Sequence, residues 1–227
     1  MKSARYVDGR CDGIDLNIGC PQGIAKRGLY GAFLMEHLKL LEEIVRSLTS
    51  KLNTPITCKS RIYKNTDGTP DLPRTIHLYE TLVNAGAKMI TIHGRTREEK
   101  GLLVRQADWY CIRQVVEYFD GKIPIIANGG IENLEDYYNC MEITGANGVM
   151  TAEGILENPM LFYEAPGTER EIIYRRTIPP ELTLNKPKPT LEPSLMKSCA
   201  DLSLQTCDNI CSQITVARVY LHFCLKY

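Results

Sequence analysis

The sequence predicts an α/β fold built on a parallel sheet, and three observations carry that expectation. Short runs rich in Ile, Val and Thr alternate with longer stretches whose apolar residues recur at helical spacing. Each short run is bounded by Gly or polar residues, as strands buried on both faces are. Polar side chains with chemical capacity gather at the C-terminal ends of those runs. That is the functional edge both of a (β/α)₈ barrel and of an open doubly wound sheet.

The first strand is read at Gly13-Ile14-Asp15-Leu16-Asn17. Leu34, Leu38, Leu41, Val45, Leu48 and Leu52 then form one apolar stripe, predicting a helix. The second strand is read from Pro55 to Arg61. Ile76, Tyr79, Leu82 and Val83 predict the next helix, stopped at Gly86. The third strand runs from Lys88 to His93, and Asp108 is placed to cap a helix carrying Ile112, Val115, Val116 and Phe119. The fourth strand runs from Ile123 to Asn128. Asn133 caps the following helix (Leu134, Tyr137, Tyr138, Met141), which Gly145 ends. The fifth strand is Gly148 to Ala152. Regular alternation of this kind calls for parallel strands joined by helical crossovers.

Composition narrows the class. The 227 residues include 27 Lys+Arg and 27 Asp+Glu, giving zero formal net charge, with 44% hydrophobic residues. That is the balance of a globular chain, not of a disordered one or of a generally basic nucleic-acid coat. No apolar run approaches the ~20 residues of a membrane span, and the N-terminal stretch MKSARYVDGRCDG has no signal-peptide core. A cytoplasmic or nuclear location with reduced thiols is therefore expected for the nine Cys. Cys199, Cys207, Cys211, His222 and Cys224 match no common zinc spacing, so no metal site is expected.

Several strand ends carry candidate chemistry. Cys20, in Asn17-Ile18-Gly19-Cys20-Pro21, sits on a sharp loop beyond a strand, where a thiol serves as nucleophile or proton donor, or is simply a buried Cys. Lys59 and Arg61 share one side of their strand, either to meet an anionic or carbonyl-rich ligand or to pair with a rim carboxylate. His93, Arg95 and Arg97 follow the third strand; the histidine suits a ring carbonyl and the arginines a phosphate or carboxylate. Asn128-Gly129-Gly130 and Ala152-Glu153-Gly154 end the last two strands, where bare backbone N–H groups face an anion or merely form tight turns. Lys26, Arg27, Lys64, Lys100 and Arg105 add charge to the same loops, a basic mouth suited to RNA if the loops share one rim.

Together, DLNIGCPQGIAKRGLYGAFL, TCKSRI, ITIHGRTREEKG, IPIIANGGI and GVMTAEGILENP resemble the flavin-dependent tRNA-dihydrouridine synthases, in that family's order. The first and last are most similar to the eukaryotic type acting at positions 16 and 17 of the D-loop. The resemblance covers roughly residues 4–162. It implies a (β/α)₈ TIM-barrel type fold that holds FMN, a helical domain that grips tRNA, and NADPH as the reductant. It implies Cys20 as the acid that protonates C5 of uridine. It further implies Lys59, His93, Asn128, Gly129, Gly130, Ala152 and Glu153 at the cofactor, and Asn17, Arg61 and Arg95 near the substrate base. Other readings are a non-catalytic RNA-binding fragment and, from a different class, another FMN barrel acting on a free pyrimidine.

The five strands correspond to the family's last five βα units, so residues 1–162 are expected to form an N-terminally incomplete barrel. Residues 163–209, rich in Pro, Lys and Glu, are read as a divergent, poorly ordered linker. Residues 210–227 are read as the start of the helical tRNA-binding domain. No specific protein partner is inferred.

Overall fold

The structure, a computed structural model, describes residues 1–162 and 214–216. A short helix, α1 (Lys2–Val7), leads into β1 (Ile14–Ile18). After α2 (Gly23–Gly28) and a 3₁₀ turn (Gly31–Glu36) come α3 (Leu38–Thr49) and β2 (Ile56–Ile62). The chain continues through α4 (Leu72–Asn84), β3 (Met89–Thr96), α5 (Trp109–Phe119), β4 (Ile125–Asn128) and α6 (Leu134–Thr144). It then forms β5 (Gly148–Met150) and α7 (Glu153–Glu157); β6 (Ile214–Val216) stands apart in sequence.

Strands β1 to β5 are parallel and lie side by side in chain order. A doubly wound sheet must reverse its strand order at a switch point; these five do not. Successive helices pack on one another, α3 on α4, α4 on α5 and α5 on α6. This is one arc of a (β/α) barrel, with the helices on its outer side. The barrel-type α/β class therefore holds, with five βα units.

The core lies between the sheet and its helices. Ile14, Leu16 and Ile18 of β1, Ile56, Cys58 and Ile62 of β2, and Ile90 and Ile92 of β3 alternate onto that face. All but Ile14 and Ile56 cluster with Leu41 and Val45 of α3, Leu78 and Leu82 of α4, and Ile112 and Val115 of α5, all fully buried; Ile14 and Ile56 pack with Ala4, Leu48 and Leu52 in a smaller cluster. Each such side chain contributes about 1.5–3 kcal/mol by leaving water. Tyr79 is fully buried as well, and its hydroxyl accepts a hydrogen bond from Ser60 Oγ at 3.0 Å.

Both expected caps form. Asp108 accepts from Cys111 N at 2.7 Å. Asn133 and Asp136 make a reciprocal capping box, and Gly145 ends α6 at φ 65°. The helix expected across Leu34–Leu52 is divided. His37, at φ −116° and ψ 59°, breaks it, so Leu34 belongs to the 3₁₀ turn and Leu52 follows the end of α3. The apolar stripe survives because its residues still turn inward, Leu34, Leu41 and Val45 into the main core and Leu48 and Leu52 into the smaller cluster with Ile14 and Ile56.

The linker read at 163–209 lies outside the described residues, as do Cys199, Cys207, Cys211, His222 and Cys224. So does the expected helix at 210–227, except for Ile214–Val216, which runs as a strand antiparallel to β1. Two of its three residues are β-branched aliphatics and the third is Thr, and β1 has a free edge to pair with. Among the described residues, no helix is long and apolar enough to cross a membrane, and no group of three or more His, Cys, Asp or Glu is placed to hold a metal ion.

A candidate active site on the strand rim

Strand register brings the site together. On the face turned away from the helices, Asn17, Lys59, Thr91, Ile126 and Gly148 align across β1 to β5. One step toward the C-terminal rim, Arg61, His93, Asn128 and Met150 form the next row. One step below lie Asp15, Thr57 and Met89. Residues as much as 135 positions apart, Asp15 and Met150, thus share one surface by pleat parity alone.

Cys20 caps this surface from the loop after β1, half-buried and with a free thiol. The Asn17 side-chain oxygen accepts from Gly19 N at 3.0 Å, turning the chain out of the strand. Arg61 Nε donates to Gly19 O at 3.0 Å, Ala32 N to Cys20 O at 2.9 Å, and Lys100 Nζ to Pro21 O at 2.6 Å. Gly31, at φ 57°, passes so close that a Cβ there would lie 2.6 Å from Cys20 O. Only glycine satisfies both that conformation and that approach.

Arg61 is buried, and Nη1 also donates to Thr96 O at 2.8 Å and Glu99 O at 3.2 Å. Among the described residues, its Nη2 makes no hydrogen bond. Arg95 donates through Nε to Arg105 O at 2.5 Å and lies 3.4 Å through Nη1 from His93 Nε2. A guanidinium has only donors, so this contact is favourable when Nε2 carries the lone pair and Nδ1 the proton.

The electrostatics are those of a desolvated cationic cleft. Burial, and after it the charge of Arg61, lower Lys59 from 10.5 to about 8, with Asp15 and Cys20 acting in the opposite direction. Burial, and then Lys59, Arg61 and Arg95, hold His93 far below its usual range, so the ring is neutral at physiological pH. Asp15, one row beneath Lys59, is raised by burial, an effect opposed by its hydrogen bond from Thr57 (2.7 Å) and by the charge of Lys59.

The loop after β4 is shaped by its glycines. Gly129 adopts φ 101° and Gly130 φ 75°. A Cβ on Gly129 would stand 2.7 Å from His93 Cδ2. Trp109 Nε1 donates to Gly129 O at 2.9 Å, fixing that peptide. Asn128 Nδ2 donates to Met150 O at 2.8 Å, so its amide bridges β4 to β5. Ala152 and Glu153 stand at the start of α7, both exposed. Thr91 Oγ1 is the one buried side-chain polar atom without a hydrogen-bond partner among the described residues. It sits in the row of Asn17 and Lys59.

The basic mouth is partly neutralised. Glu36 pairs with both Arg74 (2.5 Å) and Arg97 (3.2 Å), and Glu98 with Arg97 (3.2 Å) and Lys64 (3.6 Å). Lys26 and Arg27, exposed near the end of α2, are in no ion pair among the described residues. Sequence reasoning passed over Asp15, Thr91 and the contact of Lys100. The first two were discoverable by parity, each two residues before an identified residue. The Lys100 contact spans 79 positions and had no local signal.

A family model described as dihydrouridine synthase matches residues 1–187. The tRNA-dihydrouridine(16/17) synthase NAD(P)(+)-like protein of Mus musculus is 43% identical over 162 residues, 71% of this chain and 32% of that protein. The tRNA-dihydrouridine(16/17) synthase of Schizosaccharomyces pombe is 40% identical over 162 residues, 71% of this chain and 39% of that protein. A human tRNA-dihydrouridine(20a/20b) synthase-like protein is 37% identical over 163 residues, 70% of this chain and 48% of that protein. The chain spans about a third to two fifths of the length of the (16/17)-type relatives it matches.

Proposed function

The chain belongs to the dihydrouridine synthase family, and we propose that it carries the catalytic rim of an enzyme that reduces uridine to 5,6-dihydrouridine in tRNA, at D-loop positions 16 and 17, with FMN as cofactor and NADPH as reductant. The observation that carries this reading is the placement of a free thiol, Cys20, on a loop bonded to Arg61 at the end of a strand face that carries Lys59, Arg61 and His93 in two adjacent rows.

The residues fit an anionic, carbonyl-bearing ring. Lys59 supplies an ammonium and His93 a neutral imidazole, Thr91 has an unpartnered hydroxyl in the same row, and Gly129 and Gly130 present backbone without side chains. Lys59 and His93 would hold the flavin ring and ribityl oxygens. Asn128, Gly129, Gly130, Ala152 and Glu153 would form the phosphate side, Asn128 by bracing the two strand ends and Glu153 through its backbone. When bound, FMN supplies the hydride that adds to C6 of the uracil ring.

That addition leaves an electron pair at C5, in conjugation with the O4 carbonyl. Cys20 Sγ–H donates its proton to C5, completing the C5–H bond and leaving a thiolate. Arg61 Nη2 and Arg95 would donate to uracil carbonyl oxygens, stabilising the charge that develops there, and Asn17 would contribute its Nδ2. The base must leave the RNA stack to reach this cleft. Lys26, Arg27, Lys100 and Arg105 provide rim charge for the flanking phosphates.

The test is to mix the purified chain with FMN, desalt it and record its absorbance. Retained flavin bands, followed by NADPH oxidation that depends on tRNA, are expected. Colourless protein would refute formation of the site in this chain. Turnover on free uridine or UMP as fast as on tRNA would instead favour a barrel oxidoreductase of the free-pyrimidine class. A location in the cytoplasm or nucleus, where tRNA is processed, belongs to the same proposal.

A further inference from the structure

Three consecutive carbonyls around Cys20 are each held by a donor from a different part of the rim. Arg61 and Ala32 hold Gly19 O and Cys20 O, the peptide planes on either side of the thiol-bearing residue. Both donors are buried parts of the fold. The third donor is different in kind. Lys100 is an exposed residue on the loop after β3, yet its ammonium lies 2.6 Å from Pro21 O, where the chain turns into α2. Nearby carboxylates are engaged elsewhere: Glu98 with Arg97 and Lys64, Glu99 with Thr96 N at 2.6 Å. Lys100 itself is in no ion pair among the described residues, so its contact with the Cys20 loop is not incidental to a surface salt bridge.

The loop carrying Lys100 is anchored at its own base. Arg61 bonds Thr96 O and Glu99 O, and Arg95 bonds Arg105 O. Lys100 therefore ties the Cys20 loop to a fixed support. Without it, Arg61 and Ala32 still hold the entry side of the loop, but the exit at Pro21 loses its only cross-loop bond among the described residues.

We propose that Lys100 is a positioning residue for Cys20: its bond to the Pro21 carbonyl holds the loop closed and the thiol directed at the rim. This rests on the role given to Cys20 above, but its test reads the thiol directly and needs neither flavin nor RNA. The experiment follows iodoacetamide alkylation of the chain, resolved by peptide mapping, in Lys100→Met and Lys100→Arg variants. Met keeps the aliphatic stem and removes the donors; Arg restores them. Half-buried Cys11, on the far side of β1, and buried Cys58 and Cys111 are internal controls.

In K100M the Cys20 rate should rise about three- to tenfold as local opening becomes easier, with Cys11, Cys58 and Cys111 unchanged. In K100R the rate should return to within about twofold of the unsubstituted chain. A Cys20 rate in K100M that is unchanged or lowered overturns the proposal, as does a rise shared by the control thiols. If K100M does not fold, K100R and Lys100→Gln carry the same comparison, Gln retaining a shorter donor and an intermediate rate. Persistent uridine reduction in a Cys20→Ala variant would remove Cys20 as the acid and leave the Lys100 result standing, so the two failures are distinct.

Discussion

Replacing Gly129 with Ala should be costly for two separable reasons. Its φ of 101° is one that side-chain-bearing residues rarely adopt, which costs about 1–3 kcal/mol. The added Cβ would also stand 2.7 Å from His93 Cδ2 and 3.0 Å from Ala107 Cβ, and overpacking of this kind costs about 1–3 kcal/mol. The lost chain entropy of the unfolded glycine returns only about 0.4–1 kcal/mol. The net expectation is a loss of about 1–5.5 kcal/mol, a large share of the ~5–15 kcal/mol that holds a typical domain together. Gly130 is the internal control: its φ is 75°, but a Cβ there meets nothing nearer than 3.5 Å, so Gly130→Ala should lose only the backbone part less the same entropy return, about 0–2.5 kcal/mol. Urea unfolding of both variants measures the difference. A cycle with His93→Ala isolates its cause, since removing the ring should relieve the His93 share of the contact part, leaving that of Ala107, and leave the Gly130→Ala loss unchanged. Equal losses for the two glycine variants, or a strictly additive cycle, would refute the claim that the loop approaches His93 because residue 129 has no side chain.

Other predictions concern the chemistry. Cys20→Ala should abolish uridine reduction while leaving flavin reduction by NADPH intact; stopped-flow traces of the two half-reactions check this, and unchanged turnover would remove Cys20 from the mechanism. Lys59 in the folded chain loses its proton near pH 8 rather than 10.5, so flavin affinity should fall as pH rises through about 8. In Lys59→Met the affinity should be weaker and flat across that range; a titration of flavin fluorescence at several pH values decides. The same shift has a stability consequence: between pH 8 and 10.5 the unfolded lysine binds more proton than the folded one, so stability should rise with pH over that window in the unsubstituted chain and not in Lys59→Met. Trp109→Phe should cost about 1–2 kcal/mol in urea unfolding by removing the donor to Gly129 O, and an unchanged midpoint would show that this bond does not hold the loop.

Much of this protein was legible because its information is local. A strand's parity is set by alternation, so Lys59 and Arg61 were bound to share a face, and Asp108 and Asn133 announced their helices through capping chemistry that acts within three residues. The polar residues at successive strand ends share one rim because the five strands are parallel and in register. Sheet type was another matter. Barrel arc and doubly wound sheet have the same local sequence, and the choice rests on which strands are neighbours, a property of long-range pairing that strand order alone revealed. The helix from Leu34 to Leu52 was misread because an apolar stripe records what faces the core, not whether the backbone beneath it is continuous; His37 interrupts one without the other.

The site divides along the same line. By itself the sequence determined which side chains stand at the strand ends and on which face, because pleat and propensity are properties of a few adjacent residues. Only tertiary structure decided what those side chains do. Arg61, expected at the substrate, has three of its N–H bonds on carbonyls of Gly19, Thr96 and Glu99. His93 is neutral because burial and three cations from two strands surround it. Lys100 reaches Pro21 across 79 positions. Charge, desolvation and hydrogen bonding between distant segments depend on distances in space, and those exist only once the chain has folded.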